Sequence, residues 1–358
     1  MSNNSKRNLI YPVFSKNKVN NAAKNIVKCT NNNNPLNSID EEIIENWRAS
    51  HTHVLNVWQK ILSKRTKKKK NKIIFAQRLK RKNTIYDKIK RYPDMNLARM
   101  HDIAGCRLIF KNIEDINIFR EELHKAKFNH YLKEDECKDY ISNPKSSGYR
   151  GMHDVYVYKS RDIAGKAKDW DGLLVEIQYR TIYQHAWATA VEIVDSMNNE
   201  RLKFSEGGDK EQEFFKLTSE IIARAFENKT SCKPHLSNEE LIESFIKLEN
   251  DINLLSKLKA LKAIHKHTEK ILKKNAIIIF DTNETNKIKT YVKTFTNLKQ
   301  ANGIYFKLEK EMPSANIVLV TSNDTKFSNS IKNAYKNYFA DATDFTKYID
   351  DGIKMLIK

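Results

Sequence analysis

The segment LLVEIQYRT, residues 173–181, constrains the fold more than any other part of the sequence. Apolar residues alternate there with Glu176, Gln178 and Arg180, and a period of two is typical of a β-strand with two different faces. One face can enter a core, whereas the other carries a carboxylate, an amide and a guanidinium in succession. Such a face suits the wall of a site for a metal ion and a phosphate; the alternative is an exposed sheet face that happens to be charged.

The neighbouring segments predict further strands and helices. Strands are predicted over IAGCRLIF and HDVYVYKS, and helices over IEDINIFREELHKA and IYQHAWATAVEIVDSM. Ser38 and Glu41 have the spacing of a capping box, so a helix of roughly 25 residues is predicted to begin there, and a second helix is predicted over IIFAQRLKRKNTIYDKIKRY. This mixture predicts the α+β class, with a mixed β-sheet flanked by helices.

The composition divides the chain into three parts. Residues 1–37 end in an Asn-rich stretch and are predicted to be a flexible N-terminal segment. Residues 38–205 are predicted to form the domain that contains the strands above, including its N-terminal helix. Residues 209–358 are predicted to be helical and then a small α/β unit of unknown role, with strands at AIIIF and NIVLVTS and helices through NKIKTYVKTF and FSNSIKNAYKNYF.

The net charge indicates an anionic partner. A formal charge of +20 over 358 residues favours binding of nucleotides or nucleic acid. No aromatic residue interleaves the basic run Lys64–Lys72, which favours a solvated loop over a nucleic-acid surface there. We find no apolar run of about 18 residues that would span a membrane and no secretory signal, so we expect a cytoplasmic protein without a membrane partner.

A second carboxylate precedes the strand IAGCRLIF. It belongs to Asp102, and Arg107 lies five residues further on. Mg²⁺ takes hard oxygen ligands and is usually bound by one or two carboxylates together with substrate phosphates. Asp102 and Glu176 can supply that pair if their strands are neighbours. The alternative is a phosphohydrolase dyad formed by His101 and Asp102, but no further His and Asp ligands occur at matching positions upstream.

Lysine and arginine side chains flank these carboxylates in the sequence. Arg78, Lys80 and Lys88 form a row that suits a polyphosphate better than a single phosphate. Each of these cations taken singly is better explained as a solvated side chain, and it is their arrangement with two carboxylates that indicates a site.

The segment KDYISNPKSSGYRGMH has the composition of a binding loop. Lys138 and Lys145 bracket a turn, because Asn-Pro and Ser-Gly both favour turns. Tyr149 is placed to stack on a base, and His153 lies four residues beyond it. These features suit a loop that binds a nucleotide.

Five motifs, taken in their order along the chain, resemble the synthetase domain of the RelA/SpoT family of alarmone synthetases. They are R-x-K, S/T-I-x-x-K, D-x-x-G-x-R, the segment from Lys138 to His153, and E-x-Q-x-R-T, and the resemblance covers roughly residues 70–195. The resemblance implies the nucleotidyltransferase-like fold of that domain. It also implies a stand-alone synthetase without the hydrolase domain of the longer family members.

The same resemblance implies an activity and roles for the residues. The implied enzyme is a pyrophosphokinase, or GTP/GDP diphosphokinase, that transfers the β,γ-diphosphate of ATP to the 3′-hydroxyl of GDP or GTP. Mg²⁺ would be held by Asp102 and Glu176. The implied catalytic set is Asp102, Glu176, Arg78, Lys80 and Lys88. ATP would be bound by Arg78, Lys80, Lys88 and Arg107, and the acceptor by Lys138, Lys145, Tyr149, His153, Gln178 and Arg180.

Two other functions stay open from the sequence. Some stand-alone members of the family transfer pyrophosphate to the 3′ end of tRNA, and the basic region would suit that acceptor. A non-catalytic nucleotide-binding regulator is the second alternative, although both expected metal carboxylates are present. The sequence leaves the choice between GDP and GTP open, and also whether the chain assembles into a homo-oligomer.

Overall fold

A six-stranded mixed sheet lies at the centre of the N-terminal part of the chain. The computed structural model describes residues 10–32, 34–161, 165–198, 208–256, 258–259, 275–282, 288–312, 316–321 and 343–357. The strands of this sheet are β1 (Ile74–Leu79), β2 (Ala104–Phe110), β3 (Tyr131–Leu132), β4 (Lys138–Asp139), β5 (Met152–Val157) and β6 (Leu174–Thr181). Their order is β1-β2-β6-β5-β3, and β4 also pairs with β5. The β2–β6 pair is parallel, whereas the other pairs are antiparallel.

A second, three-stranded antiparallel sheet lies towards the C-terminus. It consists of β7 (Asn275–Thr282), β8 (Ile288–Phe295) and β9 (Asn316–Thr321), in the order β8-β7-β9. The helices are α1 (Lys16–Asn31), α2 (Ser38–Thr66), α3 (Lys82–Arg91), α4 (Ile113–His124), α5 (Ile182–Asn198), α6 (Asp209–Glu227), α7 (Asn238–Ile252), α8 (Leu298–Glu311) and α9 (Thr343–Ile357). The predicted α+β class is therefore confirmed. Within the described ranges, none of these helices combines the length and apolarity needed to cross a bilayer.

The main core forms between the apolar face of the large sheet and helices α1, α2 and α4. Alternate residues of β5 and β6 enter it, and Trp58 of α2 contacts Tyr156 with 4.5 Å between ring centroids. The same face carries one fully buried carboxylate, Asp154, which accepts hydrogen bonds from Arg120 and His124 of α4. These charged partners balance the cost of burying the anion and attach α4 to the sheet.

A second core joins the helices that follow the large sheet. Helices α5, α6, α7 and α9 bury their apolar sides against one another. Gly352 of α9 allows the close approach of α6, because a Cβ atom at this position would lie 2.9 Å from Cγ2 of Ile221. The division of the chain into domains near residues 205–209 stays a prediction.

Two predicted helices are wrong. Residues 73–92 do not form one helix: β1 ends at Leu79 and α3 begins at Lys82. The strand conformation of β1 comes from pairing with β2, which the local sequence does not reveal. The segment NKIKTYVKTF contains β8, which pairs with β7. Its alternating Ile288, Thr290, Val292 and Thr294 are β-branched, which favours a strand.

The N-terminal region also differs from the prediction. Residues 16–31, expected to be flexible, form α1, whose Val19, Ala22 and Ile26 are buried. The cap of α2 is Asn37 rather than Ser38, because the Asn37 side chain accepts a hydrogen bond from the backbone N–H of Ile39. The last predicted helix, through FSNSIKNAYKNYF, lies outside the described residues.

We predict opposite effects for substitutions of two helical glycines. Gly352→Val should destabilise the protein by about 1–3 kcal/mol because the new side chain overlaps Ile221. Gly303→Ala in α8 is the matched control: a Cβ there meets nothing within 4 Å, so it should stabilise by about 0.5–1 kcal/mol. Urea unfolding followed by circular dichroism measures both values. Equal stability of the two variants would contradict the close α6–α9 contact.

Candidate functional site

The face of the large sheet opposite the main core carries the polar residues. Register aligns Arg78, Gly105 and Glu176 across β1, β2 and β6. The next row on the same face runs through Arg107, Gln178, His153 and Lys138. Paired residues on adjacent strands project to the same side, so the sequence prediction of a polar strand face extends over five strands, β1, β2, β6, β5 and β4.

Asp102 lies in the turn just before β2, at one end of this face, and binds two ammonium groups. Nζ of Lys80 lies 2.7 Å from Oδ2, and Nζ of Lys88 lies 2.9 Å from Oδ1. Burial opposes ionisation of Asp102, but the two lysines outweigh it and hold the pKa of the carboxyl well below its usual range. Burial also lowers the pKa of Lys80 to about 8, against the opposing attraction of Asp102.

Glu176 lies at the start of a chain of hydrogen bonds across β6 and β5. Its Oε1 lies 3.0 Å from Nδ1 of His153, and Oε2 accepts a hydrogen bond of 2.7 Å from Nε2 of Gln178. Nε2 of His153 lies 2.6 Å from the hydroxyl of Tyr149, which also accepts a hydrogen bond of 3.1 Å from Arg180. Along this chain the Glu176 carboxylate and the Tyr149 phenol thus alternate with the basic groups of His153 and Arg180.

This alternation shifts the pKa values along the chain. Burial by itself raises the pKa of Glu176, but the attraction of His153 outweighs burial and lowers it to about 2. Burial opposes the charged imidazole of His153, yet Tyr149 and Glu176 raise its pKa to about 9. Burial likewise opposes ionisation of Tyr149, but Arg180 and His153 lower the pKa of its phenol to about 8. The site therefore presents a fixed carboxylate beside a fixed cation at neutral pH.

The two carboxylates form a donor set that fits a divalent cation. Asp102 lies two residues before Ala104, which pairs with Val175 beside Glu176, and the Asp102 carboxylate raises the pKa of Glu176. Hard carboxylate oxygens are the ligands that Mg²⁺ prefers, and it commonly takes only one or two of them. Within the part of the chain that the structure describes, no group of three or more His, Cys, Asp or Glu side chains forms a complete metal cage. The protein ligands thus fit a metal that completes its coordination with phosphate oxygens or water.

The turn before Tyr149 rests on α6. Gly148 has a φ of +88°, a conformation that favours glycine, and a Cβ there would meet Ser219, Phe215 and Trp187 at 3.0–3.2 Å. The Ser219 hydroxyl donates a hydrogen bond of 2.6 Å to the carbonyl of Gly148, and it lies 2.8 Å from the hydroxyl of Ser231. Lys145 lies above the Tyr149 ring at 5.5 Å from its centroid. The conformation of the loop therefore depends on a helix outside the sequence motifs.

A buried ion pair attaches the end of the same loop to α6. Arg150 pairs with Glu227, and both side chains are almost fully buried. Oε1 of Glu227 also accepts hydrogen bonds from Thr181 at 2.6 Å and Gln184 at 3.0 Å. Glu227 thus joins the loop, the end of β6 and the start of α5.

The structure brings most of the predicted site residues onto one face. Lys138 and Lys145 are exposed at its border, whereas the other predicted residues are buried or half-buried. The residues that lie on the face or border it are Arg78, Lys80, Lys88, Asp102, Arg107, Lys138, Lys145, Tyr149, His153, Glu176, Gln178 and Arg180. Ser219 and Glu227, which hold the loop, were not predicted from the sequence, because they lie in a charged helical region without a recognisable motif.

Paired carboxylates among lysines and arginines define a class of site, one built to bind a polyphosphate with a divalent cation. Residues 77–194 match the family described as "Region found in RelA / SpoT proteins". The resemblance found in the motifs is thus confirmed.

Individual relatives agree with the family match. The chain is 36% identical over 114 residues to GTP pyrophosphokinase YjbM of Bacillus subtilis. The aligned part covers 31% of this chain and 51% of the relative. It is 33% identical over 103 residues to YwaC, a GTP pyrophosphokinase of the same organism. Here the aligned part covers 28% of this chain and 45% of that relative. The chain spans about half the length of these curated relatives. The crystal structure of small alarmone synthetase 1 from B. subtilis bound to its product pppGpp is 30% identical, with 42% of this chain and 71% of that chain covered and a TM-score of 0.34.

We predict that His153 titrates above its ordinary pKa of 6.5 and that Glu176→Gln lowers this pKa, because the substitution removes an anion that stabilises the imidazolium. Because the pKa of His153 is raised in the folded protein, the pairing of its imidazolium with Glu176 stabilises the fold fully below pH 6.5. This stabilisation is lost as the pH rises through about 9. Side-chain ¹⁵N NMR titration in metal-free buffer measures the pKa. His53 and His130, whose pKa values burial lowers, are internal references. Titration of His153 near 6.5 in both proteins would contradict the pairing.

Proposed function

We propose that the protein is a pyrophosphokinase that transfers the β,γ-diphosphate of ATP to the 3′-hydroxyl of GDP or GTP. In this reaction the 3′-oxygen forms a bond to the β-phosphorus, the bond from that phosphorus to the α–β bridging oxygen breaks, AMP leaves and the hydroxyl proton is released. The observation that carries the proposal is the polar sheet face, where Asp102 with two lysines adjoins Glu176 with His153. The family match supports it, as do the relatives YjbM and YwaC, which are named as GTP pyrophosphokinases.

We assign the ATP side of the site to the end of the face near Asp102. Arg78, Lys80, Lys88 and Arg107 would neutralise the triphosphate there, and Lys80 and Lys88 already hold the carboxylate in place. Asp102 and Glu176 would hold Mg²⁺, which when bound draws negative charge away from the phosphates. Transfer of this kind depends on positioning and on stabilisation of negative charge, and these side chains supply both.

We assign the acceptor side to the loop and the adjoining row of β5 and β6. Lys138 and Lys145 would meet acceptor phosphates at the exposed border, and Tyr149 would contact the base. Gln178 and Arg180 would complete the wall, while His153 holds Glu176 as an anion. Because a pKa lowered to about 2 makes the Glu176 carboxylate a weak base, a role as metal ligand is better supported than a role as proton acceptor.

The proposal predicts that Glu176→Gln lowers the transfer rate by about 10²-fold or more, because it removes a charge that acts on the transferring group. The assay follows label from the γ-phosphate of ATP to GDP, GTP, ATP or bulk tRNA in the presence of Mg²⁺. Glu121→Gln is the matched control, since this carboxylate is exposed on α4 and should leave the rate unchanged. Full activity of Glu176→Gln would contradict the assignment of the metal ligands.

The choice of acceptor separates the remaining alternatives in the same assay. Label on GDP or GTP supports alarmone synthesis, whereas label on tRNA alone would identify a tRNA-directed enzyme. Exposed lysines of the Lys64–Lys72 run would suit tRNA, and in that case affinity should fall steeply with salt. Nucleotide binding without transfer would identify a regulator. We further propose that the protein is cytoplasmic and that it forms a homo-oligomer.

The packing of the acceptor loop on α6 predicts a change in KM for the acceptor that is larger than the change in KM for ATP. Ser219→Ala removes the hydrogen bond to Gly148 and should raise KM for the acceptor by about 5-fold, with KM for ATP within about two-fold of wild type. Thr218→Ala is the control, because this neighbouring buried hydroxyl donates to the carbonyl of Phe215 within α6. Equal changes of both KM values in Ser219→Ala would show a general loss of structure instead.

A further inference from the structure

Arg48 of α2 is a buried charge outside the motifs of the site. Its side chain is fully buried. Burial of a guanidinium is costly unless hydrogen bonds and an opposite charge satisfy it, so its partners indicate why it is there. Oε1 of Glu45 supplies the opposite charge at 2.9 Å from Nη1.

The other contacts of Arg48 connect two distant parts of the chain. Nε donates a hydrogen bond of 2.6 Å to the backbone carbonyl of Lys80. Nη2 donates one of 3.1 Å to the hydroxyl of Tyr305, and the guanidinium carbon lies 5.7 Å from the centroid of that ring and 5.4 Å from that of Phe306. Tyr305 and Phe306 belong to α8, which packs on the C-terminal sheet. Arg48 therefore bridges that unit and the large sheet.

Lys80 is held from two directions. Its carbonyl accepts from Arg48, while its N–H donates a hydrogen bond of 2.8 Å to the carbonyl of Ile103, the residue after Asp102. Its ammonium then reaches Asp102 at 2.7 Å. These contacts hold the Lys80 backbone in place. A small shift of that backbone would separate the Lys80 ammonium group from the Asp102 carboxylate. Arg48 thus connects this sequence of contacts to α8.

We propose that Arg48 is a positioning residue for the ATP side of the site, and that the C-terminal α/β unit activates the enzyme by holding Arg48 through Tyr305 and Phe306. This inference rests on the proposed function. When α8 is in place, Arg48 fixes Lys80 against Asp102. When α8 moves away, the guanidinium loses the Tyr305 hydroxyl and both rings, and the hold on Lys80 loosens.

The first test compares kinetic constants in the full-length protein. Tyr305→Phe keeps the ring and removes the hydroxyl, so KM for ATP should rise by about 5-fold while KM for GDP stays within about two-fold. Tyr291→Phe is the matched control, because it is the same change at a tyrosine of β8 that is 47% exposed. A rise in activity on Tyr305→Phe would overturn the proposal, since it would make the C-terminal unit an inhibitor.

A double-mutant cycle tests whether the two residues act through one contact. Arg48→Lys keeps the charge but cannot make the same fork of hydrogen bonds, so it should raise KM for ATP more than Tyr305→Phe does. The double variant should then be no worse than Arg48→Lys alone, because the Tyr305 contact is already lost. Additive effects would overturn the shared contact.

Hydrogen exchange separates failure of this inference from failure of the proposed function. The N–H of Lys80 should exchange at least several-fold faster in Tyr305→Phe than in wild type or Tyr291→Phe, whether or not any transfer is detected. Faster exchange without transfer in the wild type would reject the proposed activity and retain the coupling between α8 and Lys80. Unchanged exchange together with an unchanged KM for ATP would overturn the inference.

Discussion

The parallel pairing of β2 with β6 is the constraint on which the candidate site depends. It aligns Gly105 with Glu176 and Arg107 with Gln178, and it brings the turn that carries Asp102 to the end of the strand that carries Glu176. A shift of one residue in this register would turn the polar residues of β6 into the core. Burial of Val175, Ile177 and Tyr179 on the opposite face opposes such a shift, so the packing of the core also fixes the site.

Charge neutralisation explains how so many ionisable groups can share one sheet face. Asp102 lies between two lysines, and Glu176 adjoins His153, so each anion has a cation within hydrogen-bond distance. A buried charge without such a partner would be strongly destabilising. The same pairs leave the site with an excess of cations from Arg78, Arg107 and Arg180, which suits a highly charged phosphate substrate.

Support for the site comes from parts of the chain that lack sequence motifs. Helix α6 holds the loop through Ser219 and Glu227, and α8 contacts Arg48, which holds Lys80. Through these contacts the C-terminal region supports both ends of the polar face. They join the loop before β5, which contains the positive-φ residue Gly148, and an ammonium–carboxylate pair to more distant helices.

The sequence by itself determined the strand β6 with its two faces, the strands β2 and β5, and the candidate residues, because alternation and motif spacing are local properties. It could not separate β1 from α3, since the strand conformation of β1 comes from pairing with β2. For β8 the alternation of β-branched residues was a local signal, although a helix was predicted there. Nor could it reveal Arg48 or Ser219, whose roles come from partners distant in sequence. Tertiary structure alone decided these contacts, because hydrogen bonds between remote segments form only after the chain has folded around both cores.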